Sequence, residues 1–74
     1  MPVVRNWFRS GIHKDMWRHR DYDIIVRIKG SRGKWFAVIE DKEFNRFSRS
    51  IQKERYIAAK FAAVDAMKVM NRGL

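Results

Sequence analysis

Between residues 22 and 39 the chain alternates apolar and polar positions with a period of two. Tyr22, Ile24, Val26 and Ile28 fall on one side, and Asp23, Ile25, Arg27 and Lys29 on the other. That is the pattern of a half-buried strand. Residues 34–40, KWFAVIE, repeat it, with Trp35, Ala37 and Ile39 on the apolar side. The Gly-Ser-Arg-Gly stretch at 30–33 places two glycines where a turn needs positive φ. A β-hairpin is therefore predicted, its core face formed by Tyr22, Ile24, Val26, Ile28, Trp35, Ala37 and Ile39. With Lys29 set opposite Lys34, the other face pairs Arg27 with Phe36, Ile25 with Val38 and Asp23 with Glu40.

Residues 51–71 contain no Gly or Pro and read as a long helix. Ile51, Tyr56, Ala58, Ala59, Ala62, Ala63, Ala66, Met67, Val69 and Met70 cover one broad face, whose alanines allow a sheet to approach closely. Ile57, Phe61 and Val64 form a second apolar stripe on the polar side at i, i+4, i+7. That stripe calls for cover from the N-terminal segment, or for a dimer or partner interface. Between hairpin and helix, residues 44–48 (FNRFS) read as a short third strand, with Ser48 or Ser50 available to cap the helix. In residues 1–20, Phe8, Ile12 and Met16 recur every four positions, which suits a short helix interrupted at Gly11.

The predicted fold is thus α+β: a three-stranded antiparallel sheet packed on one long C-terminal helix, preceded by a short helical or irregular segment. The 74 residues make one domain, divided into a basic aromatic segment (1–20), the sheet (21–50) and the helix (51–72). A chain of this length supports a single modest core. The hydrophobic fraction of 46% is sufficient for one and argues against disorder. No cysteine is present, so neither a disulfide framework nor a thiolate zinc site is expected, and an intracellular, cytoplasmic setting fits. No apolar run approaches the roughly 18 residues of a membrane span, and the N-terminal MPVVRNWFRSG has no signal-peptide core.

Charge changes the picture most. Seventeen Lys and Arg face eight Asp and Glu, a net +9. The excess is +4 over residues 1–20, +2 over 21–50 and +3 over 51–74, so it belongs to the folded surface and not to a tail. This is the footprint of a polyanion binder. Chemistry of other kinds is poorly served. His13 and His19 are badly spaced as metal ligands and have no ordered carboxylates beside them. GSRG lacks the spacing of a phosphate loop, and no nucleophile has an evident base. Neither cofactor, metal nor catalytic residue is expected.

The predicted hairpin tip gathers Arg27, Lys29, Arg32 and Lys34. Like charges directly opposed across strands cost a few tenths of a kcal/mol or more, and neutralisation by phosphate with counterion release would remove that cost. Phe36 among these residues adds a flat group for a sugar, base or thymine methyl. The plainer explanation is a solvated tip, with Phe36 covered by residues 1–20.

Two family resemblances bear on this site. GKWFAVIED (33–41), a further short strand and the Ala-rich AAKFAAVDAM (58–67) resemble the APETALA-type DNA-binding domain and the arm-binding domains of phage tyrosine integrases. That resemblance implies a three-stranded sheet lying in the DNA major groove, with contacts from Arg27, Lys29, Lys34 and Phe36. The αβββα order and AKFAAVDAM (59–67) are similar to double-stranded-RNA-binding domains. This second resemblance implies minor-groove contacts from a first helix and from the hairpin loop, at Arg32 and Lys34, and phosphate contacts from the start of the last helix, at Lys53 and Arg55.

The function expected is a small, non-enzymatic double-stranded nucleic-acid-binding protein, with DNA favoured over RNA. It would be an accessory or regulatory protein of the kind common in phages and mobile elements, where short basic chains beginning at Met abound. The alternative is an inhibitor or adaptor that docks an acidic protein through the basic hairpin or the Ile57/Phe61/Val64 stripe, with a homodimer as a further use of the stripe.

Overall fold

Strand structure extends through more of the chain than the N-terminal periodicity implies. The computed structural model describes residues 4–10, 12 and 15–74. Five strands run in sequence order: β1 (Trp7–Arg9), β2 (Met16–His19), β3 (Ile24–Ser31), β4 (Lys34–Asp41) and β5 (Arg49–Lys53). One helix follows, α1 (Tyr56–Gly73). Each strand pairs antiparallel with the next in a β1-β2-β3-β4-β5 meander, and α1 lies across one face on β3, β4 and β5.

The α+β class and the C-terminal helix stand; the three-stranded sheet and the helical or irregular N-terminal segment do not. Residues 7–9 and 16–19 add two strands, so the sheet has five. The period of four misled for a simple reason. Phe8 and Met16 occupy the same sheet face on two different strands, while Ile12, 88% exposed, lies in the connection between them. The expectations for Gly11, His13 and Lys14 lie outside the described residues.

β1 and β2 carry the core past the helix. Trp7, Trp17 and His19 are buried on the helix side of the sheet together with Val4. Trp7 stands edge-on to His19 at 5.0 Å, and His19 meets Tyr22 at 5.1 Å. The Trp7 indole N–H donates to Asn71 Oδ1 at 3.0 Å, and Asn71 Nδ2 donates to the Arg5 carbonyl at 2.8 Å. The last turn of α1 is thereby tied to the start of the sheet.

The β3–β4 core face is as the alternation predicts. Ile24, Val26, Ile28, Ala37 and Ile39 are buried, and Tyr22 and Trp35 pack against them. The register differs: the turn consists of Arg32 and Gly33 alone, Ser31 pairs with Lys34, and Lys29 pairs with Phe36. The expected opposition of Lys29 and Lys34 is absent. Gly30 accounts for the change by joining the strand at φ 129° opposite Trp35. A Cβ there would come within 2.1 Å of the Lys34 carbonyl oxygen. Because the two registers differ by an even number of residues, every side chain keeps its face.

Residues 44–48 form a loop and not the expected third strand. The buried Asp41 carboxylate holds the loop by accepting the backbone N–H groups of Glu43, Phe44, Arg46 and Phe47 at 3.0, 2.8, 2.9 and 3.2 Å. Burial alone would raise the Asp41 pKa, but these four donors hold it below its ordinary value. Ser48 accepts the Asp41 N–H at 3.1 Å, so it is committed to the loop and caps no helix. The outer strand falls instead at 49–53, where the expected helix would have begun. The helix starts at Tyr56, behind Arg55, which provides no side-chain cap. Ala59, Ala63 and Ala66 bring α1 close to the sheet, with Met67 and Met70 filling the space between.

Candidate nucleic-acid interface

With α1 on one face, no other described element covers the opposite face of the meander. Strand pairing arranges its side chains in cross-strand rows. Phe8, Arg18, Ile25 and Glu40 form the first row, Met16, Arg27, Val38 and Ser50 the second, Lys29, Phe36 and Gln52 the third, and Ser31 and Lys34 the fourth. Five basic residues, Arg18, Arg27, Lys29, Arg32 and Lys34, thus share this face and its tip with one carboxylate, Glu40.

That carboxylate has a partner. Arg27 Nη2 lies 2.6 Å from Glu40 Oε1, diagonally across β3 and β4, and both side chains are about two-thirds covered. Arg27 Nε is buried and has no hydrogen-bond partner. Arg27 is therefore held flat within the sheet surface with much of its charge offset. Arg18, Lys29, Arg32 and Lys34 are exposed and make no ion pair among the described residues.

The strands end at different heights. β2 pairs with β3 only at Ile25, Val26 and Arg27, with one further backbone bond from Ile28 N–H to the Asp15 carbonyl at 2.9 Å. β5 pairs with β4 no further toward the turn than Trp35. From Lys29 onward β3 has lost β2, but β4 stays paired with β5 as far as Trp35. Only Ser31 and Lys34, with the turn between them, therefore form a two-stranded ribbon tip that projects beyond both neighbours. The tip carries Arg32 and Lys34, Lys29 stands at its base, and Gly33 closes it at φ 84°. Trp35 braces its root from the helix side, edge-on to Tyr56 at 5.2 Å, and the Tyr56 hydroxyl donates to Asp15.

The remaining residues singled out from sequence lie elsewhere. Phe36 is half-buried on the open face between Lys29 and Gln52, and is not covered by residues 4–10. Lys53 and Arg55 flank the start of α1; Lys53 projects to the helix side of β5, away from the open face. The stripe divides: Val64 is buried in the core, 6% exposed, whereas Ile57 and Phe61 are 45% and 63% exposed. The first helix implied by the second resemblance is replaced by β1 and β2.

Sequence reasoning missed Phe8 and Arg18, because their strands were not recognised. The alternation of Met16, Trp17, Arg18 and His19 was the available signal. His19 faces the core, where its Nδ1 accepts the Asp21 N–H at 3.0 Å, and burial lowers its pKa. Among the described residues no three of His, Cys, Asp and Glu gather where they could hold a metal ion. Likewise, no described helix is long and apolar enough to cross a membrane. No family model, curated protein or solved structure matches this chain.

Proposed function

We propose that this chain is a non-enzymatic protein that binds duplex nucleic acid, DNA ahead of RNA, through the β3–β4 ribbon and the adjoining open sheet face. The observation that carries this reading is the projecting ribbon tip, with Arg32 and Lys34 on it and Lys29 at its base, all exposed and without acidic partners among the described residues. At about 4.8 Å per strand spacing, a five-stranded sheet is roughly 19 Å wide, more than a major groove of about 12 Å admits. The ribbon tip, two strands wide at Ser31 and Lys34, does fit. The deep, narrow major groove of an A-form RNA helix excludes such a ribbon, which places DNA first. Arg18, on the shorter strands beside the ribbon, would meet the flanking phosphates.

The test is a binding titration against duplex DNA, duplex RNA and single strands at several salt concentrations. Four phosphate contacts predict a log–log salt slope of about −3.6 for duplex DNA. Lys29→Ala with Lys34→Ala should weaken binding at least tenfold, about 1.4 kcal/mol, and flatten the slope by about 2. Lys53→Ala with Arg55→Ala removes equal charge from the helix start and should cost less. Absence of binding to any duplex at 50 mM salt defeats the proposal. So does a helix-start pair that costs more than the ribbon pair while RNA outcompetes DNA.

A further inference from the structure

Opposite the ribbon's open face, a groove of about 450 Å³ runs between β5 and α1. Ile51 on the strand and Ala58, Phe61, Ala62 and Val69 on the helix give it a largely apolar lining, and its charged residues are Arg49 and Lys53 on β5 and one carboxylate, Asp65, on α1. It continues past Arg49 and Val69 toward Arg46 and Phe47, where a second recess opens. β5 is one of the sheet's two edge strands, so alternate N–H and C=O groups along Arg49–Lys53 point away from β4. Phe61 and Val69 are 63% and 50% exposed beside this edge, a concentration of apolar surface that the described residues leave without cover.

We propose that this groove receives an extended segment of a partner protein as a sixth strand, and that the segment carries the pattern acidic–x–apolar–x–acidic. This inference does not depend on the nucleic-acid reading, which uses the other face. The pattern follows from the register. An added strand places every second side chain on the helix side. There it meets Arg49, Ile51 and Lys53 in turn, since these three residues of β5 face α1. The two basic residues on β5 outnumber the one carboxylate of the lining, Asp65 on α1, and call for carboxylates, and the apolar stretch between them calls for one aliphatic side chain. Backbone pairing supplies affinity and the alternate pockets supply selectivity, as in other strand-addition sites. A nucleic-acid strand cannot use an edge of amide N–H and C=O groups over an apolar floor. A second copy of this chain fits badly as well. Two β5 strands paired antiparallel at full overlap would set each Arg49 against Lys53 of the other copy, a direct opposition of like charges.

Fluorescence anisotropy with a labelled peptide bearing Glu-Thr-Leu-Thr-Glu tests the proposal. Wild-type protein should bind this peptide at least tenfold more tightly than the same peptide bearing Lys-Thr-Leu-Thr-Lys. Arg49→Glu with Lys53→Glu alters exposed side chains only and should reverse that preference. Replacing the central Leu of the peptide by Ser should cost at least tenfold. N-methylating one alternate set of peptide amides should abolish binding, while methylating the other set leaves it intact. Lys29→Ala with Lys34→Ala should leave peptide affinity unchanged. Equal binding of acidic and basic peptides, indifference to the Leu change, or tolerance of both methylated peptides overturns the proposal. Sedimentation showing a dimer that the acidic peptide does not dissociate also overturns it, in favour of self-pairing.

Discussion

Asp41→Asn replaces one carboxylate oxygen by an amide NH₂ with almost no change of shape. In the folded protein each Asp41 oxygen accepts two backbone N–H groups, Oδ1 from Glu43 and Phe44, Oδ2 from Arg46 and Phe47. Whichever way the new amide turns, two of these donors then face another donor, and the two that remain bonded lose the help of the negative charge. A hydrogen bond to a charged group contributes about 1.5–3 kcal/mol. Losing two gives roughly 3–6 kcal/mol, and water reaching the exposed loop brings this to about 3 kcal/mol. A domain of this size is stable by only about 4–11 kcal/mol, so the melting temperature should fall by about 12–24 °C. Thermal and urea melts at pH 7 measure it. The acid limb provides a second readout. Because the folded pKa of Asp41 lies below its unfolded value, its stabilisation is complete above the ordinary carboxylate range and drains away as pH falls through the folded value. The variant should lack that part of the acid decline. A loss under 1 kcal/mol at pH 7, or an unchanged acid limb, would show that the four bonds do not organise the 42–47 loop.

Gly30→Ala meets both a positive φ and a 2.1 Å approach to the Lys34 carbonyl oxygen; it should destabilise by at least about 2 kcal/mol and show lost amide protection across the ribbon by hydrogen exchange. Gly33→Ala, where nothing stands within 4 Å but φ is +84°, should cost only about 1 kcal/mol. His19 is held neutral by burial, and its Nδ1 accepts a backbone N–H that an imidazolium could not accept. Its stabilisation is full above the unfolded value near 6.5 and is lost as pH falls toward the lowered folded value; wild-type melting temperature should drop between pH 7 and 5, and His19→Gln should flatten that drop. Asn71→Ala removes the bond to Trp7 in β1 and the bond to the Arg5 carbonyl just before it and should cost about 1–3 kcal/mol in a urea melt, with enhanced exchange confined first to residues 7–9.

The β3–β4 faces and the helix were legible because each is a long run at one period. Eight residues per strand leave little doubt about which side chains turn inward. The short strands were not. Three residues at 7–9 and four at 16–19 hold too few alternations to compete with the chance spacing of Phe8, Ile12 and Met16. β5 was displaced because its signal is weak: Arg49, Ser50, Gln52 and Lys53 are polar, and Ile51 alone marks the core side. Phe44 and Phe47 drew the strand forward, whereas both serve the loop, Phe44 against Tyr22 at 5.1 Å and each beneath the Arg46 guanidinium. At the candidate site, the gathering of basic residues at 27–34 was readable. That Arg27 is engaged by Glu40 while Lys29 and Lys34 are not depends on a diagonal across a register set by Gly30, and spacing alone does not carry that information.

Asn71 touches Arg5 and Trp7 at once, so the two ends of the fold stand side by side while the Arg32–Gly33 turn stands apart from both. A circular permutant follows naturally. Joining the ends through a short Gly/Ser linker and opening the chain between Arg32 and Gly33 would break no strand, since that peptide bond belongs to the turn alone. Such a molecule should keep the meander, the helix and the β5 groove, while its ribbon frays into two free ends. It would separate, within a single polypeptide of unaltered charge pattern, what the fold needs from what the ribbon does. Loss of duplex binding with retention of peptide binding would assign the two activities to opposite faces of one sheet.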